Sequence, residues 1–90
     1  MVRMTRLRAI RLKHGISLLE LARHSSVSNQ YISALELGNI RRTENNEEAI
    51  SRAMDRAIRS RRASLAELEQ IAWQYQGHLL ETVEVEKDEL

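Results

Sequence analysis

The stretch that decides the fold is residues 17–37, which read Ser-Leu-Leu-Glu-Leu-Ala-Arg-His-Ser-Ser-Val-Ser-Asn-Gln-Tyr-Ile-Ser-Ala-Leu-Glu-Leu. Two short helical patterns lie here, and a serine precedes each of them. Ser17 and Glu20 have the spacing of a capping box, in which each side chain satisfies a backbone N–H group that has no helical partner. Ser28 stands in the same position before the second pattern, predicted over residues 29–37. Residues 25–27 between the patterns are long enough only for a tight turn.

Two helices of this length joined by so short a turn form a helix-turn-helix. The close approach of the helices requires a small residue where they meet, which is Ala22, and an apolar anchor after the turn, which is Val27. Ile32 and Leu35 have the spacing that turns one side of the second helix inward. The opposite side of that helix is therefore predicted to be free.

The free face of helix 29–37 is mostly polar. Its members are candidate base-reading residues: Asn29, Gln30, Ser33 and Ala34. Side-chain amides present a donor and an acceptor together, which is the pairing that reads adenine in the major groove. Ser28 lies where a hydroxyl and a helix N-terminus would meet a phosphate. The pattern predicts a surface that contacts DNA.

Charge is distributed unevenly along the chain. Its 90 residues include 14 Lys and Arg against 13 Asp and Glu, and the net charge of +1 alone argues against a nucleic-acid binder. However, residues 1–42 hold eight basic and two acidic side chains, net +6, whereas residues 63–90 hold one and seven, net −6. This polarity indicates a nucleic-acid face at one end. Unequal halves also arise by chance in a chain with 30% charged residues.

Composition argues against several functional classes. Without cysteine the chain has no disulfide framework, thiolate zinc site or cysteine nucleophile. Its three histidines lack metal-ligand spacing, and no catalytic triad order or glycine-rich phosphate loop is present. We expect no enzyme activity, no cofactor and no metal. No apolar run is long enough for a membrane span or a signal peptide, so we expect a cytoplasmic protein.

The remaining patterns complete an all-α fold, in a chain with no proline and three glycines. Periodicity predicts five helices, at about 3–14, 18–24, 29–37, 47–62 and 64–76. The fifth opens on a second capping-box spacing, at Ser64 and Glu67. Its side chains predicted to face inward are Leu65, Leu68, Ile71, Ala72 and Tyr75. An acidic tail, 81–90, follows, and residues 82–85 alternate like a short strand.

Residues 7–42 resemble the helix-turn-helix of the phage Cro and lambda-repressor-like (XRE-type) transcription regulators. The matching segments are Ile10-Arg11, Gly15-Ile16-Ser17, Glu20-Leu21-Ala22, Val27-Ser28, Ile32-Ser33, Leu35-Glu36 and Gly38. Residues 64–75 are similar to the family's fourth helix, so the resemblance makes 47–62 an inserted helix. It implies a compact five-helix domain over residues 1–80, followed by the acidic tail 81–90.

Two residues depart from the family pattern. Ser26 stands where the family usually has a glycine with positive φ, which predicts about 1 kcal/mol of strain. Leu18 stands where a glutamine commonly contacts DNA, and Leu19 follows at a normally polar site. An exposed Leu19 is a candidate protein contact, although single exposed leucines are common.

The resemblance implies a regulator that binds double-stranded DNA through helix 29–37. We expect a repressor from a mobile element that binds a roughly palindromic operator as a homodimer. The expected phosphate contacts are Ser28, Asn39, Arg41, Arg42 and Arg11. The alternative is a protein-interaction module, antitoxin-like, that binds a partner protein through Leu18, Leu19 and helix 47–62.

Two further surfaces each have two interpretations. A basic stripe on helix 47–62 is a candidate for extra DNA contact and consists of Arg52, Arg56, Arg59 and Arg62. Acidic residues four positions before Arg52 and Arg59 would equally form ion pairs along the helix. Trp73 and Leu80 are a candidate dimer surface, or the edge of a core widened by the inserted helix.

Overall fold

The computed structural model describes residues 1–89 and is all-helical over that range. Its helices are α1 (Arg6–His14), α2 (Leu18–Arg23), α3 (Asn29–Glu36) and α4 (Glu44–Gln74), followed by a 3₁₀ turn at Lys87–Glu89. The all-α prediction is confirmed, and the first three helices lie within a few residues of their predicted positions. Every helix in residues 1–89 is too short or too polar to cross a membrane.

The predicted helix ends of the helix-turn-helix are confirmed. The hydroxyl of Ser17 accepts from the Glu20 N–H at 2.9 Å, and that of Ser28 accepts from the Tyr31 N–H at 3.1 Å. Gly15 ends α1 with φ at 63°, in the left-handed region that costs glycine little. The chain therefore leaves α1 and enters α2 and α3 as its local sequence dictates.

The turn between α2 and α3 differs from the expectation. Among the described residues only glycines have positive φ, so Ser26 carries no left-handed strain. Ser25 stabilises the turn instead, because its hydroxyl accepts from the Val27 N–H at 3.0 Å. The predicted strain at Ser26 was wrong because this turn takes a conformation that ordinary residues adopt.

The core is small and lies between α2, α3 and the first half of α4. Leu21 and Ile32 are completely buried, and Ala53 of α4 packs with them. Partly buried apolar side chains surround these three: Leu7, Leu18, Ala22, Val27, Ile50 and Met54. The half of α4 near residues 50–57 thus closes the core of the helix-turn-helix.

α4 is one continuous helix of 31 residues where the sequence predicted two. No helix begins at Ser64, because no glycine or proline interrupts residues 44–74. A serine acts as a cap only where the chain leaves the helical conformation. The five-helix arrangement was therefore wrong. Helix 47–62, predicted as an insertion, supplies the packing against the core, and residues 64–74 extend beyond it.

α4 begins with a capping box at residues 43–46, before the predicted helix start at residue 47. The Thr43 hydroxyl accepts from the Asn46 N–H at 3.2 Å, and the Asn46 side-chain oxygen accepts from the Thr43 N–H at 2.8 Å. The buried Asn46 amide also donates to the carbonyl of Arg41 at 3.0 Å. Asparagine thus takes the place that Glu or Gln usually has in this motif.

The long helix makes the molecule elongated. The Cα radius of gyration is 17.4 Å, whereas a compact domain of this length has about 12 Å. The predicted compact shape was therefore wrong. The tail contains no strand at 82–85, where the alternating residues have no second strand to pair with, and Leu90 lies outside the described residues.

Candidate nucleic-acid interface

The four predicted base-reading residues lie together on the outer side of α3. They line a shallow depression whose complete lining is Leu18, Asn29, Gln30, Ser33, Ala34, Leu37 and Asn39. Gln30 is exposed, and Asn29, Ser33 and Ala34 are half-buried. The structure brings these side chains onto one accessible surface, and their reading of bases stays a prediction.

α3 presents this surface because its other side is anchored in the core. Ile32 is 0% exposed against α2 and α4. Ile32 and Leu35 point the same side of α3 inward. Gln30 and Ser33 are each two positions from one of them, about 200° around the helix, so they lie on the outer face, and Asn29 lies at its edge.

A buried ion pair clamps the end of α3 to α1. The Nε and Nη2 of Arg11 donate to the two carboxylate oxygens of Glu36 at 2.6 and 2.7 Å, and its Nη1 donates to the Ile16 carbonyl at 2.9 Å. Hydrogen bonding to Glu36 raises the pKa of Arg11, against the opposing effect of burial. The predicted phosphate contact at Arg11 was wrong, because its side chain is buried and its guanidinium is committed to Glu36 and Ile16.

The other predicted phosphate contacts are accessible. Asn39 is exposed at the end of the depression, and Arg41 and Arg42 follow it in the loop before α4. Arg42 lies 3.4 Å from Glu47, but both side chains are mostly exposed, and such pairs exchange readily for other partners. Ser28 accepts its capping hydrogen bond and keeps its own O–H proton to donate.

Leu18 forms one wall of the depression. It is half-buried against the core, whereas Leu37, which also lines the depression, is 60% exposed. Sequence reasoning treated Leu18 as the loss of a DNA-contacting glutamine and, in the alternative function, as part of a protein contact. The family position itself was the signal that this side chain belongs to the same surface.

The basic stripe of α4 lies apart from the depression. Arg52 pairs with Glu48 at 2.6 Å and Arg59 pairs with Asp55 at 3.1 Å, which confirms the predicted ion pairs along the helix. Arg56 donates to the carbonyl of His24 at 3.5 Å. These contacts are exposed, and contact between the stripe and DNA stays a prediction.

Arg61 positions the α1–α2 corner and was not predicted. Its guanidinium donates to both carboxylate oxygens of Glu20, at 2.5 and 2.6 Å, and to the carbonyls of His14 and Gly15. Hydrogen bonding from Arg61 lowers the pKa of the Glu20 carboxyl. Glu20 thus turns toward α4 instead of completing the capping box with Ser17. The partners lie 41 residues apart, so no local pattern could reveal them.

The segment that carries this surface is similar to a known protein family. Residues 7–46 match the family model described as Helix-turn-helix. This segment contains α1 from Leu7 onward, α2, α3, the start of α4 and every residue of the depression. No curated protein and no solved structure gave a match. Residues 7–46 therefore carry the helix-turn-helix of the Cro and lambda-repressor-like (XRE-type) family of DNA-binding transcription regulators.

Proposed function

We propose that the protein is a sequence-specific repressor that places α3 in the major groove of double-stranded DNA. The observation that carries this proposal is the depression on α3, which is lined by Asn29 and Gln30 and also by Asn39, two residues before the basic loop with Arg41 and Arg42. α3 has eight residues and is about 12 Å long, which suits a groove about 12 Å wide.

Each part of the surface has a separate role in this complex. Asn29 and Gln30 read base edges, with adenine the expected partner of an amide. Ser33 and Ala34 are small, so the α3 backbone approaches the bases closely. The apolar walls at Leu18 and Leu37 suit the methyl group of thymine. Ser28, Asn39 and the two loop arginines hold phosphates and set the orientation.

Repression follows from occupation of the promoter. A two-fold dimer of such domains reads two half-sites about 34 Å apart, so the operator is expected to be roughly palindromic. A bound dimer excludes the polymerase from the same DNA. The protein then needs neither a cofactor nor a catalytic group.

Selection of duplexes from a random library, followed by titration, tests the proposal. Asn29→Ala with Gln30→Ala should lose about 1–3 kcal/mol per base pair read, because base contacts are removed. The salt dependence should stay unchanged, since each phosphate contact contributes about −0.9 to the log–log slope.

The matched control removes charge instead of base contacts. Arg41→Ala with Arg42→Ala should flatten the salt slope and keep the sequence preference. Absence of binding to every duplex at about 50 mM salt would overturn the proposal.

A second candidate function is a module that binds a partner protein. Leu19 is 63% exposed and follows Leu18, which lines the α3 depression, so it suits an apolar contact. Leu19→Ser would then abolish partner capture, whereas a DNA-reading protein with this variant should keep its affinity for the selected duplex. These opposite outcomes separate the two functions.

A further inference from the structure

The second half of α4 carries an apolar stripe that nothing in the described chain covers. We call residues 58–75, the last part of α4 with its C-terminal cap residue Tyr75, the α4 extension. Its stripe consists of Ile58, Leu65, Leu68, Ile71, Ala72 and Tyr75. The five larger side chains are between 45% and 59% exposed, and Ala72 is half-buried. A stripe of this regularity is typical of a helix that packs against another element.

The stripe continues the face of α4 that builds the core. Ile50, Ala53, Met54 and Ala57 lie on this face in the first half, where Ala53 and Ala57 are 1% exposed. The helical period carries the same face on to Leu65. An exposed apolar stripe of this kind is typical of a helix face that packs against another surface, so we expect the extension to have a partner surface.

We infer that the partner is a second copy of the chain, whose α4 extension packs antiparallel against the first. Charge supports this choice, because residues 1–42 carry net +6 and residues 63–90 carry net −6. Antiparallel pairing brings the acidic end of each copy beside the basic end of the other. Parallel pairing would place like ends together.

The heptad positions of the stripe define a register. Ile58, Leu65 and Ala72 repeat every seven residues, as do Leu68 and Tyr75 three residues later. Leu65 then faces Leu68 of the second copy, and Ile58 faces Tyr75. The remaining layer sets Arg61, whose head group binds Glu20, against the small Ala72.

Charged residues beside the stripe agree with the same register. Arg62 and Glu69 are seven residues apart on one edge of the stripe. In the antiparallel pair each Arg62 faces Glu69 of the other copy, which gives two symmetric ion pairs. In a parallel pair Arg62 and Glu69 would face Ala57 and Ser64 instead.

The position of the cores also excludes parallel pairing. Core residues cover the stripe face at 50–57 in each copy, so two parallel helices would bring both cores into the same space. In the antiparallel pair each helix ends at Gln74, just where the core of the other copy begins, and Gly77 with φ at 87° turns the chain away.

The interface is large enough for a specific dimer. Burial of the stripes of two copies removes on the order of 1,000 Å² from water, which is near the lower limit of specific interfaces. The pairing separates the two cores by roughly 38 Å along the helix axis at 1.5 Å per residue. This inference is independent of DNA binding.

Sedimentation equilibrium without DNA tests the surface. The natural chain should be a dimer, and Leu65→Ala with Leu68→Ala should weaken it at least about 100-fold, since four apolar side chains leave the interface. Both leucines lie outside the core, so the unfolding of the helix-turn-helix should be unchanged. The matched control is Trp73→Ala, because Trp73 is 80% exposed off the stripe.

Three outcomes would overturn the inference. They are a natural chain that stays monomeric at high concentration, a dimer that survives the double alanine substitution, and a dimer lost in Trp73→Ala. The last result would assign the dimer surface to Trp73 and Leu80.

Charge reversal tests the antiparallel register in folded protein. Arg62→Glu alone and Glu69→Arg alone should each weaken the dimer about 2- to 30-fold, because each creates two like-charge pairs. The double reversal should restore it. Equal affinity of all four proteins would contradict the register.

Cross-linking tests the orientation directly, because the natural chain has no cysteine. Ile58→Cys and Tyr75→Cys should form a disulfide-linked dimer when the two variants are mixed, and neither should do so alone. In a parallel dimer Ile58→Cys alone would cross-link with itself. That result would overturn the antiparallel inference.

Discussion

At the scale of single residues, Arg11 shows how burial changes the role of a basic side chain. The sequence predicted a phosphate contact for Arg11, yet its guanidinium lies inside the protein, where it donates two hydrogen bonds to the Glu36 carboxylate and one to the Ile16 carbonyl. A bidentate arginine–carboxylate pair is geometrically specific, so it fixes how α1 meets the end of α3. The angle at which α3 is presented therefore depends on this pair.

Loss of one partner should be far more costly than loss of both. Glu36→Ala should lower the free energy of unfolding by about 3–5 kcal/mol, because it leaves a buried charge without a partner. Arg11→Met combined with Glu36→Leu should recover most of that loss. Urea denaturation measures both, with Arg42→Ala as the exposed control at about 0.5 kcal/mol or less. A change below about 1 kcal/mol for Glu36→Ala would contradict the structural role.

At the scale of elements, α4 shows that the same residue pattern has different meanings at different places. Thr43 and Asn46 form a real capping box, whereas Ser64 and Glu67 have the spacing inside a continuous helix. A cap needs a preceding residue that leaves the helix, and nothing before Ser64 does so. The extension beyond the core results directly from this continuity.

Serine-to-alanine substitutions change the stability in opposite directions at a helix cap and in a helix interior. Ser64→Ala should raise the helical stability by up to about 0.5 kcal/mol, because alanine is the better helix former. Ser17→Ala and Ser28→Ala should instead cost about 0.5–2 kcal/mol, since each removes a real cap. Thermal unfolding followed by far-UV circular dichroism measures all three. A loss in Ser64→Ala as large as in Ser28→Ala would indicate a helix start at that position.

At the scale of the whole molecule, the net charge of +1 hides two opposed ends. The basic end holds the proposed DNA surface, and the acidic end includes the tail 81–90, with five acidic residues and one lysine. Because charges of the same sign as DNA repel it, the tail should limit binding to arbitrary sequences.

Removal of residues 81–90 should therefore strengthen non-specific DNA binding. The net charge rises from +1 to +5, and we expect an affinity gain of about 3- to 10-fold for a random duplex at about 50 mM salt. The gain should shrink at about 0.5 M salt, where screening is strong. A full-length variant with the five tail acids changed to amides is the matched control. Identical affinities of natural and truncated chains would contradict this role.

The sequence by itself determined the helix-turn-helix and the polar face of α3. Caps such as Ser17 and Ser28, and periodic positions such as Ile32, act over four residues or fewer, so a linear reading detects them. Only the tertiary structure decided the burial of Arg11, the hydrogen bonds of Arg61 and the exposure of the α4 stripe. Arg11 and Arg61 bind partners 25 and 41 residues away, and a periodic apolar face does not specify what covers it. Local hydrogen bonds depend on neighbouring residues, whereas burial depends on which distant segments of the chain pack together.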